Sequence, residues 1–452
     1  MKQVIGIRRE DLNKKGEKRV ALDPEMLSRF QHPERTFLVQ PAHHPDTGEE
    51  KRAFEDEAYE QVGALVQEDL QQAALIFGIK EVSLNHLFPE KAYVMFSHTH
   101  KGQIKNRPLL SKLHAQKNTL IDYELMVDAG GQRVVKAFTF FAGYAGMTDS
   151  LWVLGERWQQ KGISSPFQRI QQSVNMGGLE NVRNKLREIG QEIAEHGTPE
   201  NCPPLICGFL GDGKTSSGAQ EMFDLLPSRE ITLAELPKVF AQGSRKQVYK
   251  LVLTVSDMFR IKTGSPYVGQ EFSAADFFQL YLKEPDHFES NLDQIFPYCT
   301  LLMNCILWSP EFPRLISREQ ARQWYAESQT LEVIGDITCD PEGAIQFSQE
   351  TWIDAPTFIY QAETNESTVG ITGEGIAVMA VTNLPCEFPA DASRHFGADL
   401  SPYIEGMLAA NYQAETLSEA GLPAEIEKAV ILWKGNFPPA YAYMEAYLTK
   451  EP

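Results

Sequence analysis

Short apolar runs of strand length alternate with helical patterns from the first residues onward. This alternation confines the chain to α/β architectures built on parallel sheets. Val4-Ile5-Gly6-Ile7 reads as a strand, Asp23-Pro24 caps a helix carrying Met26, Leu27 and Phe30, and Thr36-Phe37-Leu38-Val39 reads as the next strand. Three further runs end in reactive side chains. Ala73 to Phe77 leads through Gly78-Ile79 to Lys80 and Glu81; Ala92 to Phe96 leads to Ser97-His98-Thr99-His100-Lys101; Thr119-Leu120-Ile121 leads to Asp122 and Glu124. Open parallel sheets bind ligands outside the carboxyl ends of their strands, so these three ends form a candidate site.

Charge and length narrow the partners. The 452 residues carry 42 Lys+Arg against 61 Asp+Glu, a formal net charge of −19. The length predicts two or three domains. The acidity argues against nucleic acid and anionic membrane as partners. An anionic substrate then requires a local basic pocket, which the run from His98 to Arg107, with Lys101 and Lys105, supplies. The amino terminus reaches charge too early for a signal peptide, and the richest apolar stretch, Ala137 to Leu154, is interrupted by Asp149, so a cytoplasmic protein is expected. Six cysteines without a CxxC pair read as reduced core thiols. His98-x-His100 has no third ligand at useful spacing, so no metal site is read.

After a helical region from about Met147 to Lys161, the Pro203-Pro204 break introduces a second strand-turn-helix series. Its apolar runs are Leu205 to Leu210, Ile231 to Leu233, Val248 to Val255 and Thr330 to Ile337. The loop Gly208-Phe209-Leu210-Gly211-Asp212-Gly213-Lys214-Thr215-Ser216-Ser217-Gly218 parses in two ways. As GxxxxGK[ST], it is the phosphate loop of an NTPase with Lys214 on the phosphates and Thr215 on magnesium, and the strand must stop before Gly208. As Gly211-x-Gly213 opening a dinucleotide loop, it leaves a strand running from Leu205 to Leu210, the usual length. Both parses fit the helix that follows, with Ala219, Met222, Phe223 and Leu226 on one face.

Several segments together carry a family resemblance. They are Ile5-Gly6-Ile7-Arg8-Arg9-Glu10-Asp11 with Lys18-Arg19-Val20-Ala21-Leu22-Asp23-Pro24, Gly78-Ile79-Lys80-Glu81-Val82, Phe96-Ser97-His98-Thr99-His100-Lys101-Gly102-Gln103, and Leu120-Ile121-Asp122-Tyr123-Glu124. Further along come Ala142-Gly143-Tyr144-Ala145-Gly146-Met147, Gly218-Ala219-Gln220-Glu221, Gly335-Asp336-Ile337-Thr338 and Asn383-Leu384-Pro385. The chain resembles the lysine-2-oxoglutarate reductase half of the bifunctional α-aminoadipic semialdehyde synthases and, more distantly, saccharopine dehydrogenase and alanine dehydrogenase. The resemblance extends over the reductase half, and the saccharopine-oxidising half is expected to be absent.

The resemblance implies two Rossmann-like domains with parallel sheets, as in alanine dehydrogenase, the first of them discontinuous. Residues 1–145 with a return over 340–452 would form the substrate domain, and 146–339 the dinucleotide-binding domain. It implies a stand-alone NAD(P)-dependent oxidoreductase of the L-lysine-forming saccharopine dehydrogenase type, which condenses lysine with 2-oxoglutarate and reduces the imine to saccharopine, with a separate saccharopine-oxidising enzyme as partner. Lys80 and His98 match the acid-base pair, with Glu81 and Glu124 beside it. Arg19, Lys101 and Arg133 match cations placed for substrate carboxylates. Gly211, Gly213, Lys214, Thr215 and Ser216 occupy the pyrophosphate loop, and Asp336 matches an acidic position near the cofactor. Imine formation needs one group to take protons from the amine and another to donate to the departing hydroxyl, as this pair could.

Two departures stand out. The family loop reads Gly-Thr-Gly-Asn where this chain has Asp212 and Lys214, and the family Phe-Gly-Arg-Tyr is here Phe138-Thr139-Phe140-Phe141, without the arginine. They motivate a competing reading, a non-catalytic nucleotide-binding relative acting with a partner enzyme. Glu230 and Glu235 flank the expected second Rossmann strand, Ile231 to Leu233, and Arg229 or Arg245 could accept a 2′-phosphate, so the cofactor expectation leans to NADPH, with NADH open.

Overall fold

Strand periodicity shapes the first sheet. Ile5, Ile7, Leu75, Phe77, Val94 and Ile121 alternate along their strands onto one face, where Phe396, Leu400, Ile404 and Met407 of the Pro389–Ala409 helix cover them. Ile76, Tyr93, Met95 and Leu120 point to the other face, against Leu109, Leu110 and Leu113 of the Arg107–Ala115 helix. Both faces are dry, as parallel sheets require. The computed structural model describes residues 3–448.

The chain divides into two units, Met1–Phe138 with Pro389–Pro452, and Thr139–Phe388. The first unit's strands are β1 (Gln3–Ile7), β2 (Arg35–Val39), β3 (Leu65–Val66), β4 (Leu75–Phe77), β5 (Ala92–Met95) and β6 (Thr119–Asp122). A last strand, Val430–Leu432, joins antiparallel beside β6. The order across the sheet is Val430–Leu432, β6, β5, β4, β1, β2, β3. Chain order therefore reverses between β4 and β1, which is where such sheets open a crevice for ligands.

The second unit begins with β7 (Ile206–Leu210), β8 (Ser228–Glu230) and β9 (Val248–Leu253). A small antiparallel pair follows, β10 (Phe259–Ile261) with β11 (Phe288–Ser290). Then come β12 (Leu301–Asn304), β13 (Val333–Asp336), β14 (Thr357–Gln361), β15 (Glu366–Val369) and β16 (Ile376–Met379). The eight-stranded order is β15, β14, β16, β13, β12, β7, β9, β8. Seven of these strands run in one direction; β14 alone opposes them, pairing antiparallel with both β16 and β15.

This arrangement departs from two expectations. The return to the first unit comes at Pro389, not at 340, because β16 pairs with β13 and carries β14 and β15 with it into the second sheet. The second strand of this unit is Ser228–Glu230, since Thr232 and Glu235 close a capping box that turns Leu233–Glu235 into a 3-10 segment.

Close packing fixes the start of the Lys214–Phe223 helix. A Cβ on Gly218 would lie 2.5 Å from the Phe140 carbonyl oxygen, and one on Gly143 would press into the Thr215 carbonyl and stand 2.6 Å from the Ala219 nitrogen. The Ala137–Gln160 helix thus meets it backbone to backbone.

The same long helix buries Asp149 completely. Its carboxylate accepts from the Ser173 nitrogen at 2.8 Å and hydroxyl at 2.7 Å, and lies against Glu387, itself held by Gln172 and by the Val174 nitrogen. Burial pushes Asp149 up to about 6, and burial together with the Asp149 charge raises Glu387 well above the carboxylate range, so the pair retains a proton. A raised folded-state pKa gives stability that is complete below the unfolded value and lost as pH rises through the folded one. Asp149→Asn is expected to be more stable than the parent at pH 8 by on the order of 2 kcal/mol and to flatten the decline between pH 5 and 8. Urea unfolding across that range measures it; parallel curves would contradict the assignment.

Among the described residues the six cysteines form no disulfide, and five of them are buried. Among the described residues no helix is long and apolar enough to cross a membrane.

Candidate active site

In the first unit the reactive side chains follow the ends of β1, β4, β5 and β6, which are neighbours in the sheet. Glu10 follows β1 and is fully buried; its carboxylate accepts from the backbone nitrogens of Ile79 at 2.8 Å and Lys80 at 3.0 Å. The turn after β4 is thus held from β1. Burial raises Glu10 despite Arg8 beside it. No described residue hydrogen-bonds or ion-pairs with Lys80 Nζ.

Lys80 and His98 each sit three residues beyond the end of a strand, and those strands, β4 and β5, are paired neighbours. His98 has φ +50°, a conformation uncommon outside glycine, and Asn106 Nδ2 donates to its carbonyl at 3.2 Å. Its Nδ1 lies 2.6 Å from Glu81 Oε1. Nδ1 therefore carries the proton toward the carboxylate, and Nε2 is the nitrogen left for chemistry. The ring remains 29% exposed, open to a ligand. Burial pushes the Glu81 carboxyl up, but hydrogen bonds from His98 and Lys14, the latter at 2.6 Å, outweigh it and hold Glu81 well below the usual range. Glu81 is an anion that orients the imidazole.

A second carboxylate organises the cations. Glu124 accepts from Lys101 Nζ at 2.7 Å, with Arg133 at 3.5 Å and His100 Nε2 at 3.8 Å. Burial raises Glu124, but Lys101, with His100 and Arg133, outweighs it and holds the carboxyl below its ordinary value. Asp122, at the end of β6, is buried and ties the neighbouring turns together, accepting from the Ser97 nitrogen at 3.0 Å, the Ser97 hydroxyl and the Glu124 nitrogen. Arg19 is placed differently. It is 2% exposed, forked onto Glu17 at 2.8 and 2.6 Å, and stacked 4.1 Å over the Phe138 ring.

In the second unit Gly208 lies in the middle of β7, paired with Leu251 on one side and Leu302 on the other. A strand that continues through Gly208 to Leu210 leaves no room for a phosphate loop beginning there, so the NTPase parse fails. The turn that follows fits a dinucleotide pyrophosphate. Gly211 has φ +102°, Gly213 has no atom within 4 Å of a would-be Cβ, and the ten-residue helix from Lys214 begins without a side-chain cap. Its first amides are available to an anion. Lys214 is exposed, Thr215 half-buried and Ser216 buried. Asp336 ends β13 and is buried, accepting from Asn304 at 2.7 Å and from the Ser348 hydroxyl. Its oxygens serve that internal network.

Residues 6–145 match the alanine dehydrogenase/PNT N-terminal domain family. The α-aminoadipic semialdehyde synthase of Arabidopsis thaliana is 36% identical over 464 residues, covering 99% of this chain and 42% of its own length. The chain is thus similar to members of the saccharopine dehydrogenase and alanine dehydrogenase superfamily. The saccharopine dehydrogenase [NAD(+), L-lysine-forming] of Neurospora crassa is 23% identical, covering 78% of this chain and 80% of the relative. In structure, an L-alanine dehydrogenase matches with a TM-score of 0.62 at 16% identity, covering 99% of this chain and all of the other. The chain spans less than half the length of the synthase it matches.

Glu10, Lys14 and Asn106 are not among the expected site residues, and His100 and Asp122 lie on the expected strand ends without an expected role. Asp122 was visible as a strand-end carboxylate; Glu10 and Lys14 reach the site from a distant loop, and no local spacing announces them.

Proposed function

We propose that this chain is a nicotinamide-dependent oxidoreductase that joins the side-chain amine of lysine to the ketone of 2-oxoglutarate and reduces the resulting imine to saccharopine. The observation that carries this reading is His98, fixed by Glu81 and following a strand paired with the one that leads to the unpaired Lys80, in a chain whose second unit has a strand-glycine-helix turn fit for a dinucleotide. The homology to the synthases and to saccharopine dehydrogenase supports it.

Lysine arrives as an ammonium ion, and His98 Nε2 takes the proton that frees the amine. The amine attacks the keto carbon, and the carbinolamine hydroxyl departs as water once protonated by Lys80 or the imidazolium. Lys101 and Arg133, held by Glu124 at the same edge, are the cations for the substrate carboxylates. Gly211, Gly213 and the Lys214–Ser216 turn would hold the pyrophosphate of the nicotinamide cofactor, which supplies the reducing hydride; NADPH is the form we favour. A separate enzyme that oxidises saccharopine is the partner this product calls for.

Removing the orienting carboxylate tests the site. Glu81→Gln is expected to lower kcat about a hundredfold by freeing the imidazole to take the wrong tautomer, with NADPH affinity unchanged. Steady-state kinetics with lysine and 2-oxoglutarate, alongside a cofactor titration, decides it; kcat within threefold of the parent would overturn the role.

A further inference from the structure

The strand order of the second sheet relocates the position that reads the adenosine ribose. In dinucleotide folds that reading is made at the end of the strand lying beside the glycine-loop strand, usually about 20 residues past the loop. Here the next strand in sequence, β8, is at the sheet edge. β9 lies between it and β7, paired from Ile206↔Tyr249 to Leu210↔Leu253. The glycine turn is also fastened to the end of β9, since the Gly211 nitrogen donates to the Leu253 carbonyl at 3.0 Å. The residue after Leu253 therefore occupies the ribose-reading place, some 40 residues past the loop.

That place is neutral and hydroxylic. Thr254 and Ser256 are exposed, with their hydroxyl oxygens 3.0 Å apart. The nearby carboxylate, Asp257, is turned back into the chain, accepting from the Thr254 nitrogen at 2.8 Å and hydroxyl at 2.7 Å. A carboxylate free to accept a ribose 2′-hydroxyl, the usual mark of an NADH site, does not stand at the strand end. The two arginines expected for a 2′-phosphate are engaged elsewhere. Arg245 donates to the Pro199 carbonyl at 2.8 Å and to that of Cys202. Arg229 belongs to edge strand β8, pairs with Glu235 at 3.2 Å and stacks over Tyr249.

Resting on the nicotinamide reading above, we infer that Ser256, together with Thr254 at the end of β9, receives the 2′-phosphate of NADP(H) and sets the preference over NAD(H), and that Arg229 and Arg245 do not. Hydroxyl donors satisfy phosphate oxygens directly, and the inward-turned Asp257 leaves the phosphate unopposed at that point. Ser256 is the residue to change, because Thr254 also holds the Asp257 cap.

Equilibrium fluorescence titration of the intact protein with NADPH and NADH, and calorimetry with 2′,5′-ADP against 5′-AMP, test this without turnover. Ser256→Ala should weaken NADPH and 2′,5′-ADP at least tenfold while NADH and 5′-AMP change less than twofold. Ser256→Glu should reverse the preference toward NADH, with thermal melting confirming that both variants fold. Arg229→Ala should leave the ratio unchanged. An unaltered ratio in Ser256→Ala and Ser256→Glu, or loss of discrimination in Arg229→Ala, overturns the assignment while the nicotinamide reading stands. Failure of the parent protein to bind either dinucleotide overturns both.

Discussion

Lys80→Met should lower kcat for lysine and 2-oxoglutarate by about three orders of magnitude while leaving the NADPH dissociation constant within twofold of the parent. The local structure makes this substitution clean. The backbone of Lys80 is held by Glu10, not by its own side chain, and Nζ has no hydrogen-bond or ion-pair partner among the described residues. Methionine keeps the aliphatic stem and removes only the ammonium. A folding defect is therefore not expected, and near-normal melting temperature is part of the prediction. Lys80 belongs to the first unit and the glycine turn to the second, so cofactor affinity should be insensitive to the change. Turnover within tenfold of the parent, or loss of cofactor binding, would show that the role is misassigned.

The second large effect is structural. Gly143→Val should destabilise the second unit by at least about 3 kcal/mol and abolish dinucleotide binding. The obstacle is backbone, the Thr215 carbonyl and the Ala219 nitrogen, so no side-chain rotation relieves it. The two helices must separate, and the one that moves begins at Lys214, directly after the glycine turn. For a unit of this size the change corresponds to a fall of roughly 10 °C in its melting temperature. Thermal unfolding with and without NADPH measures both consequences. A variant that melts like the parent and still gains stability from NADPH would mean that the helix contact does not position the turn.

The elements of chemistry were legible where a strand and its payload are contiguous. Lys80, His98 and Glu124 follow apolar runs, and the structure brings the ends of β4, β5 and β6 side by side. What the runs could not tell was which carboxylate faces which cation. The pairing of Glu81 with both His98 and Lys14 depends on a loop reaching across from β1, and Arg19 turns out to be forked onto Glu17, two residues before it. The glycine loop was legible in part. Its two parses differ in where the strand stops, and only the pairing of Gly208 inside β7 separates them.

Strand order is non-local, and there the sequence was silent. The runs at 357–361 and 376–379 look no different from those of the first unit, yet they extend the second sheet and move the return from 340 to 389. The displacement of β8 to the edge rests on equally distant pairing, and it shifts the ribose-reading place from the region of Ile231 to Thr254.

The proposed reaction is tested most simply by mixing the purified protein with NADPH, lysine and 2-oxoglutarate and following the near-ultraviolet absorbance of the dinucleotide. Oxidation that requires both substrates and forms saccharopine in equal amount, identified by mass spectrometry, is the expected result. No oxidation with lysine or related amines paired with 2-oxoglutarate or other keto acids, together with no binding of NADPH or NADH, would contradict it.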